Sequence, residues 1–158
     1  MLEQCRTAKE RWGGVNELID TWLHDRQDLL VSYFILSKRD QDQPLEVRLK
    51  DFCGRLVDYA SKGHFEIYEL LLEEAEAFND GGLEVAATLM PKLEAETQNL
   101  LDFNDDFCTD ELSLAQEEAL PERLSRLGEV LEERFRLEDQ LLEMLHYAHK
   151  DKLTDQAV

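Results

Sequence analysis

Apolar residues recur along this chain at the spacing of an α-helix, and leucine supplies most of them. In the first such stretch, residues 15–36, they fall at Val15, Leu18, Ile19, Trp22, Leu23, Leu29, Leu30 and Tyr33. That is one face of a 3.6-residue repeat. A second stripe, Leu45, Leu49, Phe52 and Leu56, follows Pro44, which suits the first turn of a helix. A third joins Ile67, Leu71, Ala75 and Phe78, and a last one joins Leu124, Leu127, Leu131, Phe135, Leu142 and Leu145. Runs of Val, Ile and Thr are missing, which disfavours strands.

Breaks between the stripes set the topology. Residues 38–44 form a polar loop. Gly63, after Ser61 and Lys62, reads as a left-handed cap separating a second helix from a third over 64–78. Asn79-Asp80-Gly81-Gly82 is a turn, and the fourth helix covers 83–107 with Pro91 expected to kink it. Residues 109–120 are acidic and weakly patterned, and Pro121 is expected to open the final helix to about residue 149. A short segment hinged at Gly13-Gly14 precedes the first helix, and the tail after residue 150 is expected to fray. The expected fold is therefore one all-α domain over residues 1–158. It is an antiparallel up-and-down helical bundle with a short N-terminal extension and a split second/third helix.

Charge narrows the function. Lys and Arg number 17 against 36 Asp and Glu, a net charge of −19. Such a surface repels nucleic acid and anionic membrane and attracts a basic partner, although acidity can also simply keep a protein soluble. No run approaches the ~20 apolar residues of a membrane span. The first residues are not those of a signal peptide, and the three cysteines are odd in number and scattered. These features place the protein in a reducing cytoplasm with free thiols. No Gly-x-Ser-x-Gly and no glycine-rich phosphate loop is present, so the chain does not read as an enzyme. Glu143-x-x-His146 has the spacing of a di-iron ligand motif, but it has no second copy, so no metal or other cofactor is expected. His24 reads as solvated and His64 as part of a helix start.

Two charges interrupt the apolar stripes. Arg26 lies between Trp22 and Tyr33, and Glu138 lies within the stripe of the last helix, so an internal ion pair between them is expected. The alternative is that each snorkels to the edge of the bundle. Asp58 lies roughly 150° from the centre of the second helix's stripe, beside Gly54 and Ser61, on a low surface that the core does not need. On the third helix, Phe65 and Leu72 fall on a different side from the core stripe, next to Glu69 and Glu76, with Tyr68 between the two sides. An apolar patch rimmed by acid suits a basic, amphipathic partner. A neighbouring helix covering Phe65 and Leu72 would explain it equally well.

Three segments carry a resemblance. Residues 18–26 (LIDTWLHDR), 56–65 (LVDYASKGHF) and 133–139 (ERFRLED) are similar to the Rsd/AlgQ family, the bacterial regulators of sigma D and alginate regulatory proteins. The opening Glu10-Arg11-Trp12-Gly13-Gly14-Val15 resembles the alginate-regulator branch. The match spans nearly the whole chain, and Asp-Tyr…Gly-His-Phe is its most specific part. Ala60, Lys62 and the short loop at 38–44 depart from the family pattern, and Lys62 adds a positive charge near Asp58.

The resemblance implies a helical-bundle anti-sigma factor that binds region four of the primary sigma factor, a basic helix-turn-helix, with Asp58 as the contacting acidic residue. Phe65, Tyr68, Glu69 and Leu72 extend that candidate surface. The resemblance implies no direct contact with nucleic acid, and a monomer or weak dimer is expected. The competing readings are a scaffold with other signalling partners and a metal-binding bundle.

Overall fold

The protein is represented by a computed structural model that describes residues 15–38 and 43–149. Helix α1 spans Val15–Leu36, α2 Leu45–Lys62, α3 Tyr68–Phe78, α4 Gly82–Phe107 and α5 Leu114–Leu145, and a short 3-10 turn follows at Tyr147–His149. The described residues contain no strand, and the chain folds as an all-α bundle. The hinge at Gly13-Gly14, the middle of the 38–44 loop and the tail beyond residue 149 lie outside the described residues.

Side-chain contacts fix the helix directions. On α1, Tyr33 donates to the carbonyl of Leu124 early in α5 (2.7 Å), while Arg26 reaches Asp139 late in α5 (2.7 Å). The two helices are therefore antiparallel. Trp22 meets Tyr59 and Tyr33 meets Phe52, so α1 and α2 are antiparallel as well. Arg123 pairs with Asp106, and Arg134 donates to Thr97, which sets α5 antiparallel to α4.

The expected break between the second and third helices is absent. Gly63 has φ −58° and ψ −53°, which is ordinary helical backbone and not a left-handed cap. The chain passes from α2 through a single π-helical stretch, Gly63–Ile67, into α3, so the two form one rod. Gly63 serves close approach instead. A Cβ there would lie 3.0 Å from the ring of Trp22. The Trp22 indole donates to the Tyr59 carbonyl at 3.2 Å, an acceptor that the N–H of Gly63 shares. The tryptophan thus supports a carbonyl left partly open where the ladder widens. The real turn comes at residues 79–81, where Asn79 (φ 47°) and Gly81 (φ 98°) are left-handed.

The last helix also begins earlier than Pro121. Ser113 and Gln116 form a reciprocal capping box: Ser113 Oγ accepts from the Gln116 N–H (3.2 Å), and Gln116 Oε1 accepts from the Ser113 N–H (2.7 Å). Helix α5 then runs through Pro121, and α4 runs through Pro91. Both prolines are exposed, where the carbonyl each leaves unbonded can meet water. Leu120, Leu124, Leu127, Leu131, Arg134, Glu138, Leu141 and Leu145 are all buried on α5. Their spacing alternates four and three, the pattern of a core seam.

Candidate partner-binding surface

Beneath the candidate surface lies a buried charged centre. Glu138 is 1% exposed, yet four side chains reach it, one each from α1, α2, α3 and α5 itself. The hydroxyls of Tyr59 and Tyr68 donate to its two oxygens at 2.6 and 2.5 Å. Arg26 Nη2 lies 3.3 Å from Oε1, and Arg134 Nε lies 3.4 Å from Oε2. Arg26 also donates to Tyr59 Oη (3.0 Å) and to Asp139 (2.7 Å), and its guanidinium sits 4.6 Å from the Phe135 ring centre. The expected Arg26–Glu138 contact thus exists as one limb of a larger cluster.

Burial raises the Glu138 carboxyl above its ordinary range, against the opposing influence of Arg134, the two tyrosines and Arg26. Burial likewise raises both tyrosines, with the Glu138 charge adding to it, so they act as neutral donors. Arg134 is fully buried. Its Nη1 donates to Thr97 Oγ1 at 2.7 Å, while Nε and Nη2 make no hydrogen bond. Sequence reasoning missed Arg134, although its position four residues before Glu138 on the same seam was a usable signal.

This cluster corrects the placement of Tyr68. It was expected between the two sides of the third helix and within the partner surface. Its ring is 2% exposed and faces Trp22 edge-on, with the hydroxyl spent on Glu138. It lies beneath the candidate surface, away from solvent.

The other candidate residues lie outward along the α2–α3 rod. Asp58 is exposed and makes no hydrogen bond or ion pair among the described residues. Gly54 and Ser61 beside it are exposed too, and a Cβ on Gly54 would meet nothing within 4 Å. Phe65 is 66% exposed, so no neighbouring helix among the described residues covers it. Leu72 is half-buried against the core. Glu66, Glu69 and Glu73 are exposed. Lys62, the positive residue near Asp58, is drawn to Asp25 on α1 at 3.4 Å.

Between this rod and α4 runs a groove of about 270 Å³, lined by Val57, Ser61, His64, Phe65, Leu100 and Leu101 among others. Val57, next to Asp58 in the sequence, and Ser61, one helical turn beyond it, border the groove, so a charge and an apolar slot adjoin. Such an arrangement can bind a cationic, amphipathic segment. It contains no nucleophile paired with a base.

The two histidines that follow α5 are buried against α3 and the turn after it. His146 Nδ1 lies 2.9 Å from Glu74. His149 lies 2.6 Å from Asp80 through Nε2 and 2.9 Å from the Leu145 carbonyl through Nδ1, and it stacks on Phe78 at 3.9 Å. His146 therefore turns to α3, and Glu143, its expected companion in the motif, is exposed. Among the described residues no cluster of three or more His, Cys, Asp or Glu side chains could hold a metal ion. No helix among them is long and apolar enough to cross a membrane.

Comparison with known proteins finds a match over residues 1–146 to the family described as regulator of RNA polymerase sigma(70) subunit, Rsd/AlgQ. The chain is similar to the regulator of sigma D of Yersinia pseudotuberculosis, at 38% identity over 148 residues covering 90% of this chain and 88% of that one. It is similar to the regulator of sigma D of Yersinia enterocolitica at the same identity, and to that of Enterobacter sp. (strain 638) at 43%, again over 90% of this chain.

Proposed function

Because this chain belongs to the Rsd/AlgQ family of regulators of the RNA polymerase sigma(70) subunit, we propose that it is an anti-sigma factor that sequesters region four of the primary sigma factor. It does so as a binding protein and not as an enzyme, in the cytoplasm where the polymerase works, and as a monomer or weak dimer. The observation that carries this reading is the exposed Asp58, unpaired among the described residues, beside the apolar groove and Phe65.

Region four, as a helix-turn-helix, presents Lys and Arg to phosphates and base edges and keeps an apolar underside. Asp58 would pair with one of its arginines, and the groove and Phe65 would bury apolar side chains next to that pair. Glu69 would contribute longer-range attraction, and Leu72 a half-buried edge of the patch. The net charge of −19 speeds the encounter with a basic domain. Occupying the recognition helix would deny it to promoter DNA.

A competition experiment tests the reading. A labelled duplex carrying the −35 element is bound to the isolated region-four fragment, and this protein is added. Release of the duplex, with a stoichiometric protein–fragment complex formed, is the expected result. Retention of the duplex at saturating protein would refute it.

A further inference from the structure

Two cysteines lie outside the surface described above. Cys53 sits in the middle of α2 and is fully buried, whereas Cys108 forms the C-cap of α4 and is exposed. Fifty-five positions apart in sequence, they are drawn together by the packing of α2 against the end of α4. Lys50, one turn before Cys53, pairs with Asp110, two residues past Cys108. Phe52, adjacent to Cys53, meets Phe103 edge-to-face with ring centres 5.9 Å apart. The Cys53 thiol has the Cys108 sulfur as its hydrogen-bonding neighbour. Both are free thiols in this structure.

We propose that Cys53 and Cys108 form a redox-sensitive pair that closes to an intramolecular disulfide when the protein meets a peroxide. The exposed member reacts first. The Cys108 thiolate attacks one peroxide oxygen, an S–O bond forms, the O–O bond breaks, and hydroxide leaves to become water, giving a sulfenic acid. The Cys53 sulfur then attacks the Cys108 sulfur. The S–O bond breaks, and the departing hydroxide takes the Cys53 proton as a second water. Two thiols and one hydrogen peroxide give one disulfide and two waters, with two electrons passing from sulfur to the peroxide.

Burial and the neighbouring Cys108 push the Cys53 thiol up to about 12, so Cys53 is the resolving partner and not the site of first attack. Closure at a given peroxide dose is accordingly faster at alkaline pH. The bond would staple the rod that carries Asp58 to the end of α4, closing a long loop and restricting the unfolded chain. Cys108 is the reactive member because it is accessible, and Cys53 gives the reaction its specificity because it is buried beside Cys108.

The full-length chain is treated with hydrogen peroxide, alkylated under denaturing conditions and digested without reductant. The expected result is a cross-linked peptide joining Cys53 and Cys108 in monomeric protein, reversed by dithiothreitol. Titratable thiols should fall from the three in the sequence to one. Cys108→Ser, at an exposed position and so without a packing cost, should give no cross-link, and Cys5→Ser should still give it. Sulfinic or sulfonic acid at Cys108 with no cross-link would overturn the proposal, as would Cys108 joined to Cys5 or to a second chain. The readout is a bond and not sigma binding, so its failure is distinct from failure of the anti-sigma reading.

Discussion

Replacing Glu138 with leucine should be among the most destabilising single changes in this bundle. The carboxylate is 1% exposed and receives two tyrosine hydroxyls and two guanidinium groups. Leucine nearly conserves the volume but removes every acceptor at once. Arg134 would then be buried with no counter-charge, and breaking such a pair costs ~3–5 kcal/mol. Arg26→Met should cost less, about 1.5–3 kcal/mol for charged hydrogen bonds, because the Arg26 side chain is 12% exposed, part of its charge is spent on the exposed Asp139, and Arg134 still faces Glu138. Combining Arg134→Met with Glu138→Leu removes the stranded charge along with its partner. The double variant should therefore be more stable than Glu138→Leu alone. Urea unfolding followed by far-UV circular dichroism, applied to wild type, Glu138→Leu, Arg26→Met, Arg134→Met and the double variant, gives these free energies at neutral pH. Strict additivity of the Arg134 and Glu138 changes, or a greater loss for Arg26→Met than for Glu138→Leu, would refute this account of the cluster.

Three further changes follow from the same contacts. Burial raises Glu138 above its unfolded value of 4.5, so over that interval the native state holds a proton that the unfolded chain has released. Its contribution to stability is then full below pH 4.5 and declines as pH rises through the folded value. The stability of wild type minus that of Glu138→Gln should shrink across this window in denaturant titrations; a growing difference would mean that the arginines outweigh burial. Ser113→Ala should cost about 0.5–2 kcal/mol by removing one half of the α5 capping box, measured by the same unfolding assay. Gly63→Ala should destabilise by about 1–3 kcal/mol through overpacking against Trp22, more than the roughly 1 kcal/mol that alanine gains in a helix; a rise in melting temperature would show that the tryptophan yields.

Periodicity made the bundle legible, since each stripe needs only neighbours three and four residues away. The exposure of Asp58 and Phe65 was legible for the same reason, since both fall off the core stripe of the rod. The failures occur where a distant partner decides. Gly63 after Ser-Lys has the composition of a helix stop, but Trp22, forty-one positions earlier, uses the missing Cβ for close approach, and the rod continues. Tyr68 sits at the border of two faces, and only the carboxylate of Glu138 settles that it turns inward. Arg134 was hidden by the habit of reading arginine as surface, although its place in the alternating four-three seam of α5 marked it as buried. The start of α5 was misjudged because Pro121 is a louder local signal than the Ser113–Gln116 box. Asp80 and Glu74 lie 69 and 75 residues from His149, too far for any local pattern to link them.

Titration of the sigma region-four fragment into wild type and Asp58→Ala, at low and at moderate salt, tests the anti-sigma reading most directly. Truncating one partner of a desolvated charge pair costs ~2–5 kcal/mol, mostly through faster dissociation. Because Asp58 is exposed and unpaired among the described residues, its loss should move stability by less than about 0.5 kcal/mol. The account predicts that Asp58→Ala keeps its melting temperature and loses most of its affinity, with a smaller salt dependence than wild type. Phe65→Ala should weaken binding too while leaving the salt dependence nearly intact, because its contribution is apolar burial. Wild-type affinity in Asp58→Ala, or loss of binding that tracks unfolding of the bundle, would contradict it.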